Sequence, residues 1–234
     1  MTNAPAPTAQ SPRHGIKGTS GLLLLQFVTM WTAFFVLAPT INWPASLDEP
    51  PAAILPLILD QSVAVFAGYL SYLIHALALI PLAILLQDAL RLDGAMGRML
   101  VALGVLAGFA KAFGIVRWLF LMPGLAAAYT DPAATPEAQA AIEVVYGAFN
   151  AYAGGVGELL GVGFFAGVWT IVISVAVLRL GWTWIGYSGF GAAALLLSTL
   201  LSVVGIESPI MLTLSGILWQ FWTLALAITI WRKA

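Results

Sequence analysis

The sequence predicts an all-α integral membrane bundle of six transmembrane helices, on three observations. Of its 234 residues, 61% are hydrophobic and only 8% are charged, against about 25% charged in an ordinary soluble domain. Its apolar stretches are long enough to cross a hydrocarbon core, which takes about 20 residues. Its basic residues also fall on alternate connections, as the positive-inside rule requires of a multi-pass protein.

Composition removes several function classes. A net charge of −1 offers no basic surface, so no nucleic-acid partner is expected. The chain has no cysteine, which removes disulfides, thiolate metal sites, iron–sulfur clusters and Cys-x-x-Cys chemistry. The two histidines, His14 and His75, lie far apart, so neither a metal site nor a haem cofactor is expected. The partners this leaves are membrane lipids and a small amphiphilic ligand.

The elements follow in order. Residues 1–19 are rich in Pro, Ala, Thr and Ser and read as a mobile cytoplasmic tail, with residues 20–234 as a single transmembrane domain. Residues 22–41 read as a retained first span: the apolar run is long for a signal peptide and no small-residue cleavage site follows it. Residues 42–60 hold four prolines and three acids, so they form a loop with a short interfacial helix in its second half and Trp43 at headgroup level. The second span covers 63–87 and contains Pro81, a turn occupies 88–97, and the third span covers 98–129, with Pro123 and Gly124 loosening its last turns. Thr135 is placed to cap a helix with Pro136 at its first position. That helix runs over 136–180, too long for one crossing at about 1.5 Å per residue. Its amphipathic start lies outside the bilayer core, the fourth crossing covers 154–178, and Gly181 ends it. The fifth span covers 184–206, Glu207, Ser208 and Pro209 make a turn, and the sixth covers 210–231. No internal repeat is evident, so an inverted-repeat transporter is not indicated.

Orientation follows from charge. Arg13, Lys17, Arg91, Arg98, Arg179, Arg232 and Lys233 share one side, while the opposite connections hold Asp48, Glu49, Asp60, Asp131, Glu137, Glu143 and Glu207 without a Lys or Arg. Both termini are therefore expected in the cytoplasm, with the spans in a plasma membrane.

The few polar residues at depth carry the functional reading, because charge there is expensive. Counted from Arg98, Arg117 stands about 28 Å up; counted from Arg179, Glu158 stands about 31 Å up. Equal height on neighbouring antiparallel spans predicts an Arg117–Glu158 ion pair. Lys111 and His75 each stand about 20 Å up and Gln220 about 18 Å, which predicts a second, more central polar layer. Lys111 and Arg117 point about 120° apart on a 3.6-residue helix and need not serve one cavity. For each residue a plainer role competes. Arg117 could snorkel or be purely structural, and Lys111 faces a wet cavity, pairs with an acid or loses its charge. His75 could be a satisfied interior histidine, and Gln220 a helix–helix hydrogen bond. Gly157 with Gly161, Gly163 with Gly167, and Gly104 with Gly108 are small-xxx-small pairs for close helix packing. Glycines beside Glu158 also leave room for a ligand group. No nucleophile elbow, metalloprotease helix or phosphate loop occurs, so no catalytic residue is assigned.

Three sets of residues carry a family resemblance: Asn42-Trp43-Pro44 with Asp48-Glu49-Pro50, Arg117-Trp118 with Pro123 and residues 126–132, and Asn150-x-Tyr152 with Gly157-Glu158. On these the chain resembles the bacterial membrane family called domain of unknown function 4386, over roughly residues 15–232. The resemblance implies six spans and no particular activity. The expected function is binding of a small anionic or polar amphiphile at Arg117, Lys111, Glu158, His75 and Trp118, by a carrier, sensor or accessory subunit. An intramembrane enzyme using Glu158 or His75 with Arg117, and a partner subunit without ligand, are the alternatives.

Overall fold

The computed structural model describes residues 12–206 and 209–233, and among these no strand occurs. Apolar sequence without a strand period leaves helices as the only way to satisfy the backbone in lipid. The chain runs through α1 (Pro12–Ile41), a 3-10 turn (Ala45–Leu47), α2 (Pro51–Asp60), α3 (Ser62–Ala89) and α4 (Gly94–Tyr129). It continues through α5 (Pro136–Gly154), a π-helix (Gly155–Ala166), α6 (Gly167–Arg179), α7 (Thr183–Ser198), a second 3-10 segment (Thr199–Val204) and α8 (Pro209–Lys233). Six of these helical runs are long and apolar enough to cross a membrane.

The elements stop where the sequence carries breakers. Thr135 accepts a hydrogen bond from the Ala138 N–H with Pro136 just inside α5, the cap expected there. Gly181 closes α6 at φ +78°, a left-handed conformation that a residue without Cβ adopts at no steric cost.

Several expectations need correcting. Residues 12–19, assigned to the tail, are helical and extend the first span, while residues 1–11 lie outside the described residues. The end of α4 is not frayed by Pro123: the helix continues to Tyr129. Its last turns pack against α2 and α5, and tertiary packing overrides proline's local penalty. The fourth crossing is not α-helical throughout, because a twelve-residue π segment interrupts it. The fifth ends in 3-10 geometry. The expected turn at Glu207 and Ser208 lies outside the described residues.

The helices close into a ring. α1 packs on α3, α3 on α4, α4 on the π segment, α6 on α7, α7 on α8, and α8 back on α1. Interhelical hydrogen bonds pin the ring: Ser20 donates to the Ala227 carbonyl at 3.2 Å and Trp219 Nε1 to Thr170 Oγ1 at 2.8 Å. Lys17 lies 5.8 Å over the Trp231 ring and Arg179 reaches Met96 at 3.3 Å, so the basic residues that end successive helices meet at one end of the bundle. Large apolar side chains such as Phe35, Val63, Phe120 and Trp184 point outward, the arrangement suited to a lipid surround.

Two apolar clusters fill the interior. One gathers around Trp169, Leu79, Leu82 and Leu226, the other around Leu37, Ile54, Tyr69, Trp118 and Tyr146. Along α3 the clusters change over between Ala76 and Leu79, and along α4 between Ala107 and Ala112. His75 and Lys111 sit at that junction.

Candidate functional site

The site begins with close helix approach. A Cβ at Gly114 would stand 2.8 Å from Gly157 Cα and 2.9 Å from the Ala153 carbonyl oxygen, and one at Gly161 would stand 2.8 Å from the Lys111 nitrogen. Glycine therefore lets α4 and the π segment touch backbone to backbone. Gly104 and Gly108 give α3 and Trp169 the same access to α4, and Gly163 and Gly167 give it to the Thr199 and Leu197 region. The expected small-residue packing is present at all three pairs.

That contact places two charges. Arg117 Nη2 stands 3.6 Å from Glu158 Oε1. The distance makes an ion pair without a hydrogen bond of ordinary length. Arg117 folds back along its helix and donates through Nη1 to the Gly114 carbonyl at 2.9 Å, with its guanidinium 5.5 Å from the Trp118 ring centroid. Its Nε is buried without a partner. The two side chains differ in exposure: 6% for Arg117 and 37% for Glu158. The guanidinium is enclosed, and the carboxylate faces open space.

The second layer also forms. Lys111 Nζ lies 2.9 Å from His75 Nε2, and His75 Nδ1 lies 2.9 Å from the Gln26 carbonyl oxygen. A carbonyl only accepts, so Nδ1 carries the proton and Nε2 accepts from Lys111 Nζ. Gln26 returns a bond from its Nε2 to the His75 carbonyl at 3.0 Å, tying α1 to α3. Lys111 Nζ also stands 5.1 Å from the Trp219 ring centroid, within cation–π range. Among the described residues no carboxylate lies within 4 Å of it.

Lys111, Arg117 and Glu158 meet at one cavity of about 120 Å³. A single water needs only about 10–15 Å³ on the same measure, so the space takes a headgroup-sized object. Lys111, Gly114, Arg117 and Trp118 of α4 border it, with Gly157 and Glu158 of the π segment. Met30, Trp31 and Phe34 of α1, Tyr69 and Tyr72 of α3, and Gly216, Ile217 and Gln220 of α8 complete the walls. α8 packs mainly on α1 and α7, and the cavity lies between it and the face of α4 that carries Lys111 and Arg117. Trp43, Pro44 and Leu47 lie across it, in a loop held by Asn150, whose Nδ2 donates to the Leu47 carbonyl at 2.8 Å.

Of the site residues read from sequence, Lys111, Arg117, Glu158 and Trp118 border the cavity. His75 does not: it is fully buried behind Lys111. Lys111 and Arg117, expected to be free to serve different spaces, share one, because the cavity spans the face that runs from Lys111 through Gly114 to Arg117. Gln220 lines the cavity with its Oε1 buried and unpaired, rather than in the helix–helix bond expected of it. Trp118 stacks on Tyr69 at 4.8 Å with planes 6° apart. Sequence reading missed Trp31, Phe34, Tyr69 and Tyr72. For the tyrosines a signal exists: residues 69, 72 and 75 recur every three positions, near one face of α3.

The family model described as Domain of unknown function (DUF4386) matches residues 19–229. No curated protein and no solved structure matches the chain.

Proposed function

The chain belongs to the family described as Domain of unknown function (DUF4386), which names no activity, and we propose from the geometry that it binds a small anionic or polar amphiphile within the membrane. One observation carries this reading. A headgroup-sized cavity, walled mainly by aromatic and aliphatic side chains, is bordered by two cations and one carboxylate. Apolar walls with a few convergent polar groups are what a ligand site requires, and the surplus positive charge favours an anion. The segments that carry the family resemblance also converge here: Trp43 and Pro44 cover the cavity, Asn150 holds that cover, and Arg117, Trp118, Gly157 and Glu158 form its wall.

The ligand is taken from, or handed to, the surrounding lipid. The protein then serves as carrier, sensor or accessory subunit of a bacterial cytoplasmic membrane, with its basic end inside. An enzyme using His75 as base has less support, since His75 is sealed behind Lys111 with both ring nitrogens engaged. A ligand-free scaffold would fill its interior, and the cavity counts against it. The test is lipid mass spectrometry on purified protein. Wild type is expected to retain an amphiphile that the Lys111→Ala, Arg117→Ala double variant loses. Equal lipid content in the two would reject the reading.

A further inference from the structure

The three charged groups of the cavity do not have equal claims on a ligand. Arg117 is already neutralised by Glu158 and is nearly enclosed, with one guanidinium nitrogen spent on Gly114. Lys111 has no carboxylate within reach among the described residues; a neutral histidine nitrogen and the Trp219 face hold it in place. Glu158 meets Arg117 through Oε1 only, accepts no hydrogen bond among the described residues, and is 37% exposed where it borders the cavity. The cavity thus offers one basic nitrogen without an acid partner among the described residues and one free carboxylate oxygen.

Their spacing is set by α4. Lys111 and Arg117 are separated by about 9 Å of helix rise. Both side chains lean toward the helix start, and Glu158 stands 3.6 Å from Arg117. A group that spans the site needs an anion at one end and a hydrogen-bond donor at the other.

We propose that the ligand headgroup is a monoanion carrying a hydroxyl donor, of the phosphoglycerol type, with its phosphate oxygen on Lys111 and its hydroxyl on Glu158. This rests on the binding function proposed above and divides the labour within it. Lys111 anchors the anion. Arg117 fixes Glu158 as an acceptor rather than touching the phosphate. His75 is a positioning residue, because it directs the Lys111 ammonium without bordering the cavity. One negative charge on the ligand cancels the one surplus positive charge of the site. The hydroxyl gives the exposed carboxylate oxygen the partner that the protein does not supply.

The test offers the full-length protein in detergent an equimolar mixture of phosphatidylglycerol and phosphatidylmethanol with the same acyl chains, read by native mass spectrometry. The two share the phosphodiester charge and differ in the hydroxyls. Wild type is expected to prefer phosphatidylglycerol by on the order of tenfold, the worth of one hydrogen bond to a charged group. Glu158→Gln should bring the ratio close to one while some lipid still binds, and Lys111→Gln should weaken both lipids alike. Absence of a wild-type preference overturns the proposed headgroup, and that measurement does not depend on any variant folding. If lipid is still lost from the Lys111→Ala, Arg117→Ala variant, the broader binding function survives that result; if it is not lost, both fail. Added glycerol phosphate separates the sources of the same chemistry. Displacement at matched concentration supports a soluble phosphoester, and no displacement supports a lipid.

Discussion

The unequal exposure of Arg117 and Glu158 makes an asymmetric prediction. At 3.6 Å the pair attracts by about 4–5 kcal/mol if the effective dielectric is about 20. The carboxylate is more than one-third exposed and borders the cavity, where water or ligand screens it, so a net coupling of about 1 kcal/mol remains. The single substitutions should not match each other. Glu158→Gln keeps the side-chain shape and strands an enclosed guanidinium whose Nε is already unpartnered, which costs about 3 kcal/mol. Arg117→Gln leaves a carboxylate that can turn to the cavity, at a cost of about 1–2 kcal/mol. The double change should fall short of the sum by the coupling energy. Thermal unfolding in detergent, followed by tryptophan fluorescence, measures all three variants. Additivity within about 0.5 kcal/mol, or a larger loss from Arg117→Gln than from Glu158→Gln, would refute the reasoning.

Other consequences are open to similar tests. Gly114→Ala should destabilise by about 1–3 kcal/mol, since its Cβ would meet backbone of the facing helix on the same unfolding assay; Gly124→Ala, whose Cβ meets nothing within 4 Å, should be neutral or slightly stabilising. His75→Leu should cost about 1–3 kcal/mol by leaving Lys111 Nζ without its histidine partner, while the Gln26 carbonyl keeps the Thr29 hydroxyl; a loss below about 0.5 kcal/mol would show that Lys111 finds another partner. Asn150→Ala should free the loop that carries Trp43 and Pro44 and shorten lipid residence several-fold in washout experiments without lowering the melting temperature by more than a few degrees. A reporter fused after residue 234 should be active only if its activity requires the cytoplasm; activity that requires the opposite side would invert the proposed orientation.

Much of this architecture was legible in the chain because depth in a helical membrane protein is nearly a counting problem. Spans, breaks and the Thr135 cap follow from apolar length and from Pro and Gly positions. The Arg117–Glu158 pair and the Lys111–His75 contact follow from equal heights on neighbouring helices. What counting cannot supply is azimuth. Height alone put His75 beside Lys111, but it could not tell that His75 faces Gln26 of α1 and Lys111 faces the cavity. Nor could it tell that the loop over residues 42–47 lies across the cavity. Asn150, more than a hundred positions away, donates to that loop, and no local pattern announces such a bond. The aromatic walls from α1 and α3 escaped notice for a related reason: on an apolar helix a Trp or Tyr facing a cavity looks the same as one facing lipid.

The π segment is the largest departure from the sequence expectation, and its place in the site has a physical basis. Over Gly155–Ala166 each hydrogen bond reaches five residues back instead of four. The wider turn carries more residues per unit height, so Glu158 lies closer to the basic end than a count at the α-helical rise suggests. Such geometry is rare and is found mostly as single turns, often at functional sites. Here it is sustained where the sequence reads GVGELLGVGFFA, and two of its glycines, Gly157 and Gly161, are the ones that touch the backbone of α4. Small residues let the wide helix sit against its neighbour, and the widening turns Glu158 toward Arg117 while leaving part of its carboxylate in the cavity. A strictly α-helical fourth span would rotate the residues after the segment relative to those before it. Glu158 could then meet Arg117, or Gly167 could meet Leu197, but a single α-helical register could not secure both contacts. The site and the packing below it are thus reconciled by local geometry that neither would require alone.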